Sequence, residues 1–196
     1  MSNNGTLAVL LSSPSGGGKS TIIRHILKTF PEFWHSVSCT TRAPRYNEVN
    51  GREYHFVTVS EFERMVQADE LAEFAEVHGD WYGTPLLPLR KAQGEGKKII
   101  FDLDVDGAAK MKQRWQSILT IYIMPPSREE LERRLRKRQS ESEDVIQKRL
   151  KRYDREQQEA NKYDYRIIND SLECAIEEVL MYIRVWSKVT DFTQEV

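Results

Sequence analysis

Ser12-Ser13-Pro14-Ser15-Gly16-Gly17-Gly18-Lys19-Ser20-Thr21 follows the apolar run Leu7-Ala8-Val9-Leu10-Leu11 and precedes the periodic apolar residues Ile22, Ile23, Ile26, Leu27 and Phe30. Strand, glycine-rich turn and helix, in that order, are the context of a phosphate-binding loop. Glycine lets the backbone wrap an anion, because no Cβ blocks unusual φ or close approach. Successive N–H groups then point inward, and the helix that follows adds the positive end of its dipole. Residues Ser13, Pro14, Ser15, Gly16, Gly17, Gly18, Lys19, Ser20 and Thr21 form the loop in this reading. Lys19 reaches the β- and γ-phosphates, and the Ser20 hydroxyl serves Mg²⁺. The pattern G-x-x-x-x-G-K-[ST] asks for glycine where this chain has Ser13. A serine held at positive φ would cost on the order of 1 kcal/mol, which the loop is expected to tolerate.

The chain has 196 residues and a net charge of −1. That length suits one domain with a small inserted subdomain. Near-neutral charge argues against a nucleic-acid-coating protein, so anion binding must rest on local charge. Cys39 and Cys174 are the only cysteines and have no metal-ligand spacing. They point to a reducing compartment, the cytoplasm, with no disulfide framework. No apolar run approaches membrane-spanning length. The first apolar stretch lacks a basic leader and reads as a strand. Nothing in the sequence reads on oligomeric state.

Outward from the loop, 33–41 reads as a short strand beyond Pro31, and 55–59 as another. Ser60-Glu61-Phe62-Glu63 reads as a capping box opening a helix to about Asp69. Residues 72–77 read as a strand and Gly79 to Pro85 as a turn. Pro85 suits a helix start, with Pro88 in the same first turn and Gly94 and Gly96 at the end. Residues 98–104 form a buried strand ending in carboxylates, and 118–124 a second, stopped by Pro125-Pro126. Ser127 caps a helix carrying Leu131 and Leu135. Residues 142–161 form a charged helix with the buried stripe Ile146, Leu150 and Tyr153. A strand over 165–169 and an amphipathic helix over 172–185 close the chain. Strand and helix alternate at both ends, while 40–84 breaks the rhythm. The fold class is therefore α/β: a phosphate-loop parallel sheet with helices on both faces, and a small mixed α+β insertion over the crevice.

Asp102 ends an apolar strand at the edge where such proteins hold Mg²⁺. The bland reading, a carboxylate that caps the next helix, ranks second. Arg42 and Arg45 flank a proline, and two guanidinium forks together suit a phosphate. Tyr54 and Tyr82 add hydroxyl donors. Arg133, Arg134, Arg136, Arg138, Arg149 and Arg152 crowd one region. Two or three of them are expected on a closing lid, and the rest solvated or paired with Glu141, Glu143 and Asp144.

Together these residues resemble the guanylate kinase family across nearly the whole chain. The resemblance is carried by the phosphate loop, Ser36-Val37-Ser38-Cys39-Thr40-Thr41-Arg42-Ala43-Pro44-Arg45, Glu48-Val49-Asn50-Gly51 and Tyr54-His55-Phe56. It extends to Glu73-Phe74-Ala75, Tyr82-Gly83-Thr84, Asp102-Leu103-Asp104-Val105, Pro125-Pro126-Ser127, Arg134-Leu135-x-x-Arg138 and Lys148-Arg149-Leu150. It implies Mg²⁺- and ATP-dependent phosphorylation of GMP, with dGMP a second acceptor, since no named residue reads a 2′-hydroxyl. It implies a single domain: a core over about 1–36, 97–126 and 163–190, a GMP-binding insertion over about 37–96, and a lid over about 127–162. By the resemblance, Ser13 to Thr21 bind ATP, and Ser20 and Asp102 serve the metal. Lys19, Arg42, Arg134, Arg138 and Arg149 act on the transferring group. Arg42, Arg45, Tyr54 and Tyr82 hold the GMP phosphate. Ser38, Glu73 and Thr84, beside Gly83, read guanine, and Asp104 lies beside the acceptor. A carboxylate such as Glu73 accepts guanine N1–H and the 2-amino group together, which adenine does not offer. ATP and GMP are the expected partners, with neither nucleic acid nor membrane.

Three positions depart from the family pattern: Ser13 for glycine, Asp106 for glutamine and Gln139 for glycine. Asp106 is an extra carboxylate that could weaken nucleotide binding or meet a metal-bound water, and Gln139 could stiffen the lid. Competing readings are a non-catalytic binding module, a kinase for another phosphorylated acceptor, and a GTPase. The last rests on Asp104-Val105-Asp106-Gly107 and Asn161-Lys162-Tyr163-Asp164. It is disfavoured because the second motif precedes a strand where it should follow one. An intact Lys19 and Ser20 oppose the binding module, and Glu73 with Ser38 and Thr84 opposes another acceptor.

Overall fold

The run read as the first strand, β1 (Ala8–Ser12), is wholly buried and lies at the centre of a five-stranded sheet. The computed structural model describes residues 6–77, 79–115, 117–137 and 143–194. The sheet also contains β2 (Phe33–Ser36), β7 (Lys98–Asp102), β8 (Ile118–Met124) and β9 (Tyr165–Ile168), in the order β2-β7-β1-β8-β9. Every pairing is parallel, with Leu11 opposite Asp102 on one side and Ile121 on the other. All five carboxyl ends therefore point one way, and the crevice of a sheet of this kind lies beyond them.

Both faces are covered, which is why the central strands are apolar without alternation. On one face α1 (Lys19–Thr29) sets Ile22, Ile23 and Ile26 against Val9, Leu11, Ile100 and Ile121, beside Val179 and Ile183 of α7 (Leu172–Gln194). On the other, α3 (Leu86–Gly94) and α4 (Val105–Arg114) bring Leu89 and Met111 onto Leu10 and Phe101. Each such side chain removed from water contributes about 1.5–3 kcal/mol.

A second, four-stranded sheet runs β4-β3-β6-β5: β4 (His55–Phe56), β3 (Cys39–Thr40), β6 (Asp80–Pro85) and β5 (Leu71–Val77). β3 and β4 are parallel and the other pairs antiparallel. α2 (Val59–Gln67) covers it, with Phe62 packed on Phe74 and Trp81. Last, α5 (Arg128–Lys137) and α6 (Glu143–Glu159) share a small core of Leu131, Leu135, Ile146, Leu150 and Tyr153.

The architecture is the expected one, and the differences are local. The strand expected over 33–41 is two strands, because the chain leaves the core sheet after Ser36 and joins the second sheet at Cys39. The strand expected over 55–59 stops at Phe56, since Thr58 is the N-cap of α2 and accepts the Glu61 N–H at 3.2 Å. The N-cap thus sits two residues earlier than the Ser60 expected. Asp80–Pro85 is a strand where a turn was expected: Trp81 and Tyr82 pair with Glu76 and Ala75. Helix α4 was not expected, because Gly107, Ala108 and Ala109 dilute its apolar periodicity. α7 continues nine residues beyond the expected end, from 185 to Gln194. Among the described residues, no helix is long and apolar enough to cross a membrane.

Candidate active site

The carboxyl ends of β1 and β7, the start of α1, the inner face of the second sheet and α6 enclose a cleft of about 420 Å³. Ser13 to Thr21 line it in an unbroken run. Gly16 and Gly18 adopt φ of +99° and +93°, which only glycine takes without strain. Ser13 is not at positive φ; among the described non-glycine residues only Asp69 is. The strain conditional on a left-handed Ser13 therefore does not arise. Instead Ser13 packs on Gly17, where an added Cβ would stand 2.9 Å from the serine Cβ. Lys19 forms an ion pair with Asp102. Ser20 and Asp102 both line the cleft, a hydroxyl and a carboxylate, which are the hard oxygen donors that Mg²⁺ prefers. A cation, the Lys19 ammonium, already rests on the Asp102 carboxylate, which marks that oxygen as a cation-binding position. Asp104, two residues on, is the N-cap of α4 and accepts the Gly107 N–H at 2.9 Å.

The second sheet supplies the other wall. Ser38, Arg42, Arg45, Tyr54, Glu73 and Tyr82 line the cleft. Arg42 is held from three sides: both Glu48 oxygens accept from Nη2 at 2.9 Å, and Tyr82 accepts from Nε at 3.2 Å. Its guanidinium also sits 5.6 Å from the Tyr54 ring. The Glu48 carboxylate additionally accepts the Arg45 N–H at 2.8 Å, so one carboxylate organises the whole arginine loop. Glu73 is buried and accepts the Thr84 hydroxyl at 2.6 Å. Burial, reinforced by Asp104, pushes its pKa up to about 7, although Thr84, Lys110 and Arg114 pull the other way. Both cations also grip its strand: Lys110 donates to Phe74 O and Arg114 to Ala72 O. The start of α4 touches the carboxylate itself, for a Cβ on Gly107 would lie 2.8 Å from Glu73 Oε2. Gly83 is fixed by packing, its Cβ position lying 2.9 Å from Leu71 Cδ1. Cys39 donates to the Gly83 carbonyl, and burial pushes the thiol up to about 12, so it is an unreactive strand residue.

Of the six crowded arginines, Arg149 and Arg152 line the cleft. Arg149 meets Ser15 of the phosphate loop. Arg152 meets Asp104 and donates to Glu156 at 2.8 Å. Arg134 stands outside the lining, paired with Glu130 at 2.7 Å and donating to Asn169 O at 2.9 Å. Arg133 and Arg136 form surface pairs with Glu130, Glu132 and Glu143. Arg138, Gln139 and Glu141 lie outside the described residues. Asp106 pairs with Arg155 at 2.7 Å and stands 3.7 Å from Arg152, so it binds α6 and does not line the cleft. Asp164 accepts the Thr120 N–H and hydroxyl at 2.8 and 2.6 Å. Both motifs that suggested a GTPase are thus occupied by internal pairs. The local sequence does not mark Glu48, Glu156 or Asn169 as site residues, and it offers Arg152 only as one of six crowded arginines. Their contacts arise only in the folded chain.

The sequence model of one protein family, described as guanylate kinase, matches residues 5–185. The guanylate kinase of Geobacter sulfurreducens is 46% identical over 179 residues, covering 91% of this chain and 88% of that protein. That of Nitratidesulfovibrio vulgaris is 47% identical over 173 residues, covering 88% and 84%. Among solved structures, the guanylate kinase of Anaplasma phagocytophilum superposes with a TM-score of 0.74 at 31% identity, over 92% of this chain and 85% of that one.

Proposed function

The chain belongs to the guanylate kinase family, and from that premise we propose that it transfers the γ-phosphoryl group of ATP to GMP, and to dGMP, giving the diphosphate and ADP. One observation carries the reading: a buried carboxylate, Glu73, opens with Ser38 onto the same cleft as the phosphate loop. A base with N1–H and a 2-amino group satisfies Glu73 as a pair of donors. A base without them leaves a buried charge unpaired, which is how such a site rejects adenine strongly. Thr84 orients the carboxylate from behind.

In the mechanism, Arg42, Arg45, Tyr54 and Tyr82 fix the acceptor phosphate, with Asp104 beside it. The loop amides and Lys19 hold the β- and γ-phosphates of the donor. An acceptor phosphate oxygen forms the new bond to γ-phosphorus, the bond to the β–γ bridging oxygen breaks, and ADP leaves with the electron pair. Arg149 and Arg152, with Arg134 and Arg138 on the same lid, offset charge on the group in flight and exclude water. Ser20 and Asp102 would hold Mg²⁺, which when bound would supply charge neutralisation on the phosphate oxygens. GMP carries an ionised phosphate near neutral pH, so the protein supplies position and no strong base. We assign the core to about 1–36, 97–126 and 163–190, the acceptor-binding insertion to about 37–96 and the lid to about 127–162. The free cysteines Cys39 and Cys174 fit a reducing cytoplasm.

The test is ADP release from ATP and Mg²⁺ with GMP, dGMP, AMP, CMP, UMP or no acceptor. Turnover with the two guanine nucleotides alone is expected. Turnover without an acceptor, or none with GMP, overturns the reading.

A further inference from the structure

We infer that Asn169 is a positioning residue of the phosphate loop, aiming the Gly18 N–H into the cleft by holding the carbonyl of the same peptide. Asn169 directly follows β9, is 4% exposed and stands outside the cleft lining. Its Nδ2 donates to Gly17 O at 2.7 Å, across 152 residues of chain. The described peptide bonds are all trans. In a trans peptide C=O and N–H point in opposite directions. Fixing the Gly17 carbonyl on Asn169, behind the loop, turns the Gly18 N–H the other way, toward the side on which Gly18 lines the cleft. The neighbouring Gly17 N–H is already taken by Pro14 O at 2.9 Å, so the Gly18 amide is the donor this device presents.

The fit is close. A Cβ on Gly18 would collide with Asn169 Nδ2, so the pair excludes other side chains at 18 independently of its positive φ. Asn169 is itself fixed by its main chain: its N–H donates to Met124 O at 2.7 Å and its carbonyl accepts Arg134 Nη2 at 2.9 Å. One residue thus joins the end of β8, a lid arginine and the phosphate loop. The chemistry requires an amide, because an ionised carboxylate here would face the Gly17 carbonyl with no proton to donate. A leucine matches the shape and removes the donor.

The inference rests on the phosphate-loop reading, and the probes separate the two. Inorganic tripolyphosphate, ADP and GMP are titrated calorimetrically into the full chain and into Asn169→Leu and Asn169→Asp, with melting temperatures recorded. Expected is a loss of about tenfold in tripolyphosphate and ADP affinity together in Asn169→Leu. The loss in Asn169→Asp is larger, and GMP affinity is unchanged in both. Unchanged tripolyphosphate affinity in folded Asn169→Leu overturns the inference, as does a loss confined to ADP, which would place the contact on the base. A wild-type chain that fails to bind tripolyphosphate overturns the phosphate-loop reading itself. Independently of any variant, the Gly18 amide proton of the wild type is expected to shift downfield when tripolyphosphate binds, and an unmoved resonance overturns the inference.

Discussion

Glu48 closes both carboxylate oxygens onto the Arg42 guanidinium at 2.9 Å, and the same carboxylate accepts the Arg45 N–H. Glu48 thereby shapes the two-arginine loop without being one of the residues that line the cleft.

Glu48→Ala should release Arg42 and raise KM for GMP by about tenfold, on the scale of one charge-assisted hydrogen bond. KM for ATP should stay within twofold. Steady-state kinetics with each nucleotide varied in turn distinguishes this from a general loss of fold, which would lower the active fraction and leave both KM values unchanged.

GMP affinity should fall with acidity. Burial raises the Glu73 pKa to about 7 in the free protein, and the proposed function uses the carboxylate as the acceptor for guanine. The accepting form is therefore lost as pH falls through about 7, and affinity should drop about fivefold between pH 7 and pH 6. GMP titrations across pH 5.5–8.5 would show it. A flat profile would mean that the carboxylate is already ionised throughout.

The same shift has the opposite sign for stability. A carboxyl group whose folded pKa lies above its unfolded value binds its proton more tightly in the folded state. The free protein should therefore lose stability as pH rises from about 4.5 to about 7 through this group. Glu73→Gln should remove that dependence and stabilise the free chain above pH 7 by on the order of 1 kcal/mol, while abolishing preference for GMP over AMP. Thermal melts at pH 5 and pH 8 provide the comparison.

Asp106 is paired with Arg155 on an exposed edge of α6 and stays out of the cleft. Asp106→Asn should change stability by no more than about 0.5 kcal/mol, as exposed pairs do. KM for both nucleotides should stay within twofold. A marked gain in nucleotide affinity would show instead that the carboxylate repels the bound phosphates.

The phosphate loop and buried strands were legible because their signals are local. Glycines, lysine and hydroxyls lie within ten residues, and β1 and β8 are mostly apolar runs, polar only at Ser12 and Thr120. Asp80–Pro85 was misread because glycine and proline flank it, whereas the Trp81 and Tyr82 side chains fit a pleated sheet and decided its state. The change of sheet between Ser36 and Cys39 left no mark, since one polar, β-compatible stretch serves both sheets. Asn169 and Glu48 carry no local mark for a different reason, and nothing local separates Arg152 from the other five crowded arginines. Arg152 reaches Asp104 over 48 positions and Asn169 reaches Gly17 over 152, distances at which periodicity carries no information. Glu48 is close in sequence to Arg42, but a carboxylate near an arginine is too common a pattern to stand out. Asp106 drew attention as an extra charge beside nucleotides because its partner, Arg155, lies 49 residues away.

Gly107 is a poor helix former inside α4, and replacing it with alanine would be a routine stabilising edit worth about 1 kcal/mol in an ordinary helix. Here the absent methyl group is the room in which Glu73 stands. An alanine there would press on the Glu73 carboxylate and on the Asp104 oxygen that caps the helix, displacing the group to which base reading is assigned. The molecule therefore contains a position at which the helix's own preference and the shape of the cleft conflict, and an engineer aiming to harden the protein should leave residue 107 alone.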